Sequence, residues 1–146
     1  MNILLMLVSV LFLHTTPGWL TNFDEAQQIA REKHLPILLN FSGSDWCGPC
    51  IRLKKEIFGS PDFTDYAANH LILVNADFPR NRKNKLPEAQ VKQNESLADK
   101  FNPNGKFPFT LLLDEKGNIL KVWDGFPGTG PDEFIKQIAT YKDAVH

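Results

Sequence analysis

Apolar residues change their spacing along this chain in a regular succession. Phe23, Ala26, Ile29 and Ala30 recur at helical intervals behind Thr21-Asn22, and Glu25 stands three residues past Asn22 as a capping partner, so a first helix is predicted over 22–33. Pro36 then opens the run Ile37 to Phe41, apolar except for Asn40, the pattern of a strand covered on both faces. From 47 to about 58, Cys50, Leu53 and Ile57 fall on one side while Arg52, Lys55 and Glu56 lie elsewhere, which predicts an amphipathic helix ended by Gly59. Ser60-Pro61 reads as the cap and first position of a shorter helix carrying Phe63, Tyr66 and Ala67. Leu71 to Ala76 is a second buried strand. Val91, Leu97, Ala98 and Phe101 mark a helix from Pro87 to Phe101, stopped by Asn102-Pro103-Asn104-Gly105. Phe109 to Asp114 and Asn118 to Asp124 flank Glu115-Lys116-Gly117 as a hairpin, and Pro131 begins a last helix with Phe134, Ile135 and Ile138 inward.

The order is helix, strand, helix, short helix, strand, helix, strand, strand, helix. Strands separated by helices imply a parallel pair, and the hairpin adds antiparallel strands to the same sheet. The expected class is therefore α/β, a central mixed sheet with helices on both faces and Trp19 to Thr21 as an edge strand. With 146 residues and 42% apolar content, one domain with a real core accounts for the chain. A net charge of −1 gives no global field for nucleic acid or an acidic membrane.

Ile3 to Leu13 is apolar apart from Ser9, too short to span a bilayer, and is followed by His14-Thr15-Thr16-Pro17-Gly18. It reads as a secretory signal peptide over 1–18, leaving a domain over 19–146 exported to the bacterial periplasm or cell envelope. A retained membrane anchor and a buried first element are the alternatives. The usual basic residue near the start is missing, and no cysteine stands where a lipid would be attached.

Both cysteines of the chain lie in Trp46-Cys47-Gly48-Pro49-Cys50, where the first apolar strand gives way to a helix. At a helix start the unpaired N–H groups and the positive end of the dipole favour an anion at the first sulfur. Cys47 is thus the expected nucleophile. Cys50, one turn further in, is the more buried resolving partner. A zinc site would need two more ligands, and His14, His34, His70 and His146 show no paired spacing. A purely structural disulfide over so short a loop would constrain the unfolded chain little. No metal or other cofactor is implied.

The pentapeptide resembles the active site of the thioredoxin superfamily, and the element order from Asn22 to Tyr141 is similar to the thioredoxin-like fold. The resemblance implies a cis-proline opposite the dithiol, matched by Pro108 in Phe107-Pro108-Phe109-Thr110. It would leave the backbone of Phe107 free to pair with an extended substrate. The implied substrate-binding set is Trp46, Gly48, Pro49, Phe107 and Pro108, beside Cys47 and Cys50 as the catalytic pair. Trp46, Pro49, Phe107 and the Gly125-Phe126 loop would form an apolar rim. The family more often has Thr where Phe109 stands. It also carries a buried aspartate where this chain has Asn40, which cannot act as a base. Asp45, Glu56 or water would then take the proton of Cys50.

The resemblance implies a thiol-disulfide oxidoreductase, and Gly-Pro between the cysteines resembles the reducing members: a protein-disulfide reductase of envelope proteins. Its partners would be disulfide-containing proteins and a membrane-bound thiol-electron donor, with the enzyme a monomer. Disulfide isomerase or oxidase is the alternative within this chemistry. A copper-holding assembly factor is the alternative outside it, weakened because Met1 and Met6, the only methionines, lie in the predicted leader. Arg80-Asn81-Arg82-Lys83-Asn84-Lys85 places four cations between the second strand and its helix. It reads as a solvated loop or as a docking patch for an acidic partner.

Overall fold

A computed structural model describes residues 18–143. The predicted leader, apart from Gly18, lies outside the described residues. Five α-helices and four strands follow one another as α1 (Phe23–Lys33), β1 (Ile37–Ser42), α2 (Gly48–Leu53), α3 (Pro61–His70), β2 (Ile72–Asp77), α4 (Glu88–Phe101), β3 (Phe109–Leu113), β4 (Ile119–Asp124) and α5 (Pro131–Asp143). The sheet runs β2-β1-β3-β4, with β1 parallel to β2 and antiparallel to β3, and β3 antiparallel to β4. The mixed sheet with a terminal hairpin is the architecture expected from the element order.

Every residue of β1 is buried, because the strand is central and both of its faces are covered. Ile37, Leu39 and Phe41 join Phe23, Ala26, Ala30 and Phe101 in the core under α1 and α4. Leu38 points the other way, into a core with Leu53, Ile57, Phe63, Phe134 and Ile138. Each such aliphatic or aromatic side chain contributes about 1.5–3 kcal/mol by leaving water. Local signals fix the helix starts. The Asn22 side chain accepts the Glu25 backbone N–H at 3.1 Å, and Ser60 accepts that of Phe63 at 3.2 Å.

The helix expected from 47 to 58 is interrupted. After Leu53 the chain makes a π-helical turn over Lys54–Phe58, closed by the Gly59 N–H donating to the Lys54 carbonyl at 2.8 Å. Leu53 and Phe58 are five residues apart, which a regular helix would send to different faces; the wider turn brings both into one core. The predicted edge strand shrinks to a single parallel bridge between Leu20 and Val74. The basic segment is not plain coil: Arg82–Asn84 form a 3-10 turn. Among the described residues, no helix is long and apolar enough to cross a membrane.

Candidate active site

The carboxyl end of β1 delivers the chain into Gly43, and the dithiol is assembled around that glycine's backbone. The Gly43 carbonyl accepts the N–H groups of Trp46 and Cys47 at 3.3 and 2.9 Å, making the turn that starts α2. Cys47 occupies the N-cap, with its Sγ accepting the Cys50 backbone N–H at 3.3 Å. Cys50 Sγ accepts the Gly43 N–H at 3.5 Å. The two residues are joined as a disulfide, with Cα atoms 5.2 Å apart. Their exposures differ little in this closed state, 5% for Cys47 and 3% for Cys50. The asymmetry expected between them lies instead in their surroundings: Cys47 caps the helix, and Cys50 faces an inner cavity.

That cavity, of about 150 Å³, is lined by Trp19, Asn40, Ser42, Ser44, Cys50, Lys54, Phe58 and Asn75. Its floor is a chain of neutral hydrogen bonds. Thr110 Oγ1 donates to Asn40 Oδ1 at 2.9 Å, and Asn40 Nδ2 donates to Asn75 Oδ1 at 3.0 Å, tying β3 to β1 and β1 to β2. Neither carboxylate considered as a proton acceptor lines the cavity. Asp45 accepts the backbone N–H groups of Arg80 and Asn81, both at 2.9 Å, and Asn84 Nδ2 at 3.0 Å. These donors, the Arg80 N–H foremost and then the Asn84 amide, hold its carboxyl below the usual range, so it stays ionised and engaged at neutral pH. Glu56 is exposed and paired with Arg52 at 2.9 Å.

Trp46 is pinned from three sides. Its Nε1 donates to the Phe78 carbonyl at 2.7 Å, its ring meets Phe107 edge-on with centroids 5.5 Å apart, and the Arg80 guanidinium lies 3.6 Å from the ring centroid. Phe78 in turn packs against Phe107 at 5.3 Å. The Phe107-Pro108 peptide is cis, Pro108 is buried, and its carbonyl accepts the Gly125 N–H at 2.9 Å. Among the described residues, the main chain of Phe107 makes no backbone–backbone hydrogen bond. Gly48 and Pro49 are exposed in the first turn of α2, and a Cβ at Gly48 would meet nothing within 4 Å. Phe126, expected on the rim, packs against the core beneath α2 and lies under the Arg52 guanidinium at 4.3 Å.

Gly43, Phe78 and Arg80 were not identified as site residues from the sequence. Gly43 alone carries a local signal, a glycine four positions before a cysteine at the end of an apolar strand. A Cβ there would overlap the Trp46 indole. Gly43→Ala should therefore cost about 1–3 kcal/mol in urea unfolding and shift the tryptophan emission as Trp46 leaves the Phe78 carbonyl. An unchanged midpoint and spectrum would contradict this close approach.

A family model described as a thioredoxin-like domain matches residues 23–142. The chain is 37% identical over 109 residues to the disulfide bond reductase DsbH of Chlamydia pneumoniae, covering 75% of this chain and 64% of that protein. It is 34% identical over 106 residues to the thioredoxin-related protein DsbJ of the same organism, covering 71% of this chain and 29% of that one. It thus spans less than two thirds of the length of these relatives. Among solved structures, a DsbH oxidoreductase superposes with a TM-score of 0.80 at 27% identity, covering 97% of this chain and 95% of the other. A thioredoxin from Thermus thermophilus shares the fold, with a TM-score of 0.61 at 16% identity over 86% of this chain and 87% of its own. By the family match over most of its length and by its sheet order, the chain belongs to the thioredoxin-like domain family.

Proposed function

We propose that this protein is an exported thiol-disulfide oxidoreductase that reduces disulfides in envelope proteins. The observation that supports it most directly is the placement of Cys47 at the N-cap of α2, bonded to Cys50 and beside a Trp46–Phe107 wall. Similarity to a disulfide bond reductase supports the same direction. In the reducing half-reaction the Cys47 thiolate attacks one sulfur of a substrate disulfide. A bond forms between Cys47 and that sulfur, the substrate S–S bond breaks, and the leaving thiolate takes a proton from water. Cys50 then loses its proton and attacks Cys47 Sγ, which breaks the mixed disulfide and frees the second substrate thiol. Two electrons have passed to the substrate, and the enzyme is left as the Cys47–Cys50 disulfide.

The cavity behind Cys50 has Asn40, Ser42, Ser44 and Asn75 among its lining residues and is large enough to admit water; solvent is the route we assign to the Cys50 proton, since Asp45 and Glu56 are committed elsewhere. Phe107 offers its main chain to an extended substrate segment, Trp46 and Pro108 shape the approach, and Gly48 and Pro49 leave it unobstructed. A dithiol donor in the envelope, membrane-bound in our reading, returns the two electrons, and the enzyme acts as a monomer. Residues 1–18 serve as the signal peptide and 19–146 as the working domain.

Equilibration with glutathione tests the direction. A reductase should settle near the potential of thioredoxin, about −270 mV, whereas a value near −180 or −120 mV would assign it to isomerisation or oxidation.

A further inference from the structure

We propose that the basic loop over 80–85 is a docking surface for substrate polypeptides that carry acidic residues beside the reacting disulfide. The inference rests on the thiol-disulfide exchange reading and adds a substrate class to it.

The loop is built against the dithiol motif. Asp45, two residues before Cys47, holds it through two backbone N–H groups and the Asn84 amide. The carboxylate thus fixes the loop through neutral donors, and none of the four cationic side chains is paired with it. Asn81 Oδ1 accepts the Lys83 N–H at 3.1 Å, and backbone bonds from Asn84 to Asn81 and from Lys85 to Arg82 close the 3-10 turn. Four like charges in six residues would repel one another in a loose segment. Here the backbone that carries them is held in one geometry, which lowers the ordering cost of binding an anionic partner. All four are exposed, and among the described residues none pairs with a carboxylate within salt-bridge distance.

Position makes the charge relevant to the site. The Arg80 guanidinium stacks on Trp46, the residue preceding Cys47. From there a cleft of about 320 Å³ runs between the loop and α4, with Phe78, Pro79, Leu86 and Val91 as its apolar floor and Arg80, Arg82 and Lys85 along its rim. Glu95 is the one carboxylate on the α4 side, and Asp77 is occupied by the Ser44 backbone N–H at 2.9 Å and by its hydroxyl. An extended segment whose cysteine reaches Cys47 would lay its flanking residues over this rim. Acidic side chains complement it. The net charge of the whole chain is only −1, so the preference is local and does not arise from a general field.

The test compares disulfide-bearing peptides that differ only in flanking residues: Asp/Glu, Ser/Asn or Lys. At low ionic strength kcat/KM should be about tenfold higher for the acidic peptide than for the neutral one, and roughly 0.5 M salt should remove most of that difference. Arg82→Ser/Lys83→Ser/Lys85→Ser, which spares Arg80 on Trp46, should abolish the preference while the neutral peptide reacts as before. Arg82→Glu/Lys85→Glu should shift it toward the lysine peptide. Titration of reduced, labelled peptides against Cys47→Ser/Cys50→Ser, read by anisotropy, reports docking without chemistry. Acidic selectivity there supports the surface even if no peptide is turned over, a failure that would instead count against the exchange reading. Equal rates and equal binding for the three peptides, or binding of anionic vesicles without peptide discrimination, would overturn the proposal.

Discussion

Cys47→Ser should reduce turnover of a protein disulfide by at least about a thousandfold, while Cys50→Ser should accumulate covalent adducts with substrate. A serine hydroxyl is not ionised at neutral pH and forms no bond of the kind that carries electrons here. The expected contrast follows from two different surroundings. Cys47 ends a loop, accepts the Cys50 N–H at the helix N-cap and adjoins the Trp46–Phe107 wall. Cys50 accepts the Gly43 N–H and turns toward the cavity. Non-reducing electrophoresis with mass spectrometry of the adducts is the measurement. Equal trapping by the two variants would show that the assignment of attacking and resolving sulfur is wrong.

Phe134→Ala should be the most damaging single change away from the dithiol, with a loss of about 3–5 kcal/mol and a fall in Tm on the order of 10 °C. Phe134 is fully buried and lies within 6.2 Å of Phe63, 6.0 Å of Phe58 and 4.8 Å of Trp123, centroid to centroid. It therefore joins α5 to α3, to the π-helical turn and to β4. Truncation leaves a hole that these rings, each held by other neighbours, cannot close without moving several elements. Chemical denaturation followed by circular dichroism measures it. A loss below about 1 kcal/mol would mean that the cluster collapses around the gap.

The parts of the fold that were legible in the sequence are those decided locally. Asn22 and Ser60 announce their helices because a cap is a contact over three residues. The hairpin at 115–117 was readable for the same reason: Asp114 accepts the Lys116 and Asn118 N–H groups, and Gly117 supplies the left-handed φ of 87°. Burial on both faces of β1 was visible in its unbroken apolar run. The π-helical turn was not, since a spacing of five between Leu53 and Phe58 fits neither the helical nor the strand period. Asp45 shows the other limit. Its position beside the dithiol suggested proton transfer, but its partners stand 35 to 39 residues further along, and only the folded chain reveals that it anchors a loop. In the sequence Arg80 is one charge in a run; its place on the Trp46 face depends on the same long-range docking.

Amides and a hydroxyl, from Asn40, Asn75 and Thr110, make the floor beneath the inner sulfur, and none of them gains or loses a proton in the range where proteins survive. That floor offers the dithiol an electrostatic background indifferent to acidity. A catalyst so built leaves its response to acidity to the two sulfurs themselves and to whatever approaches from outside.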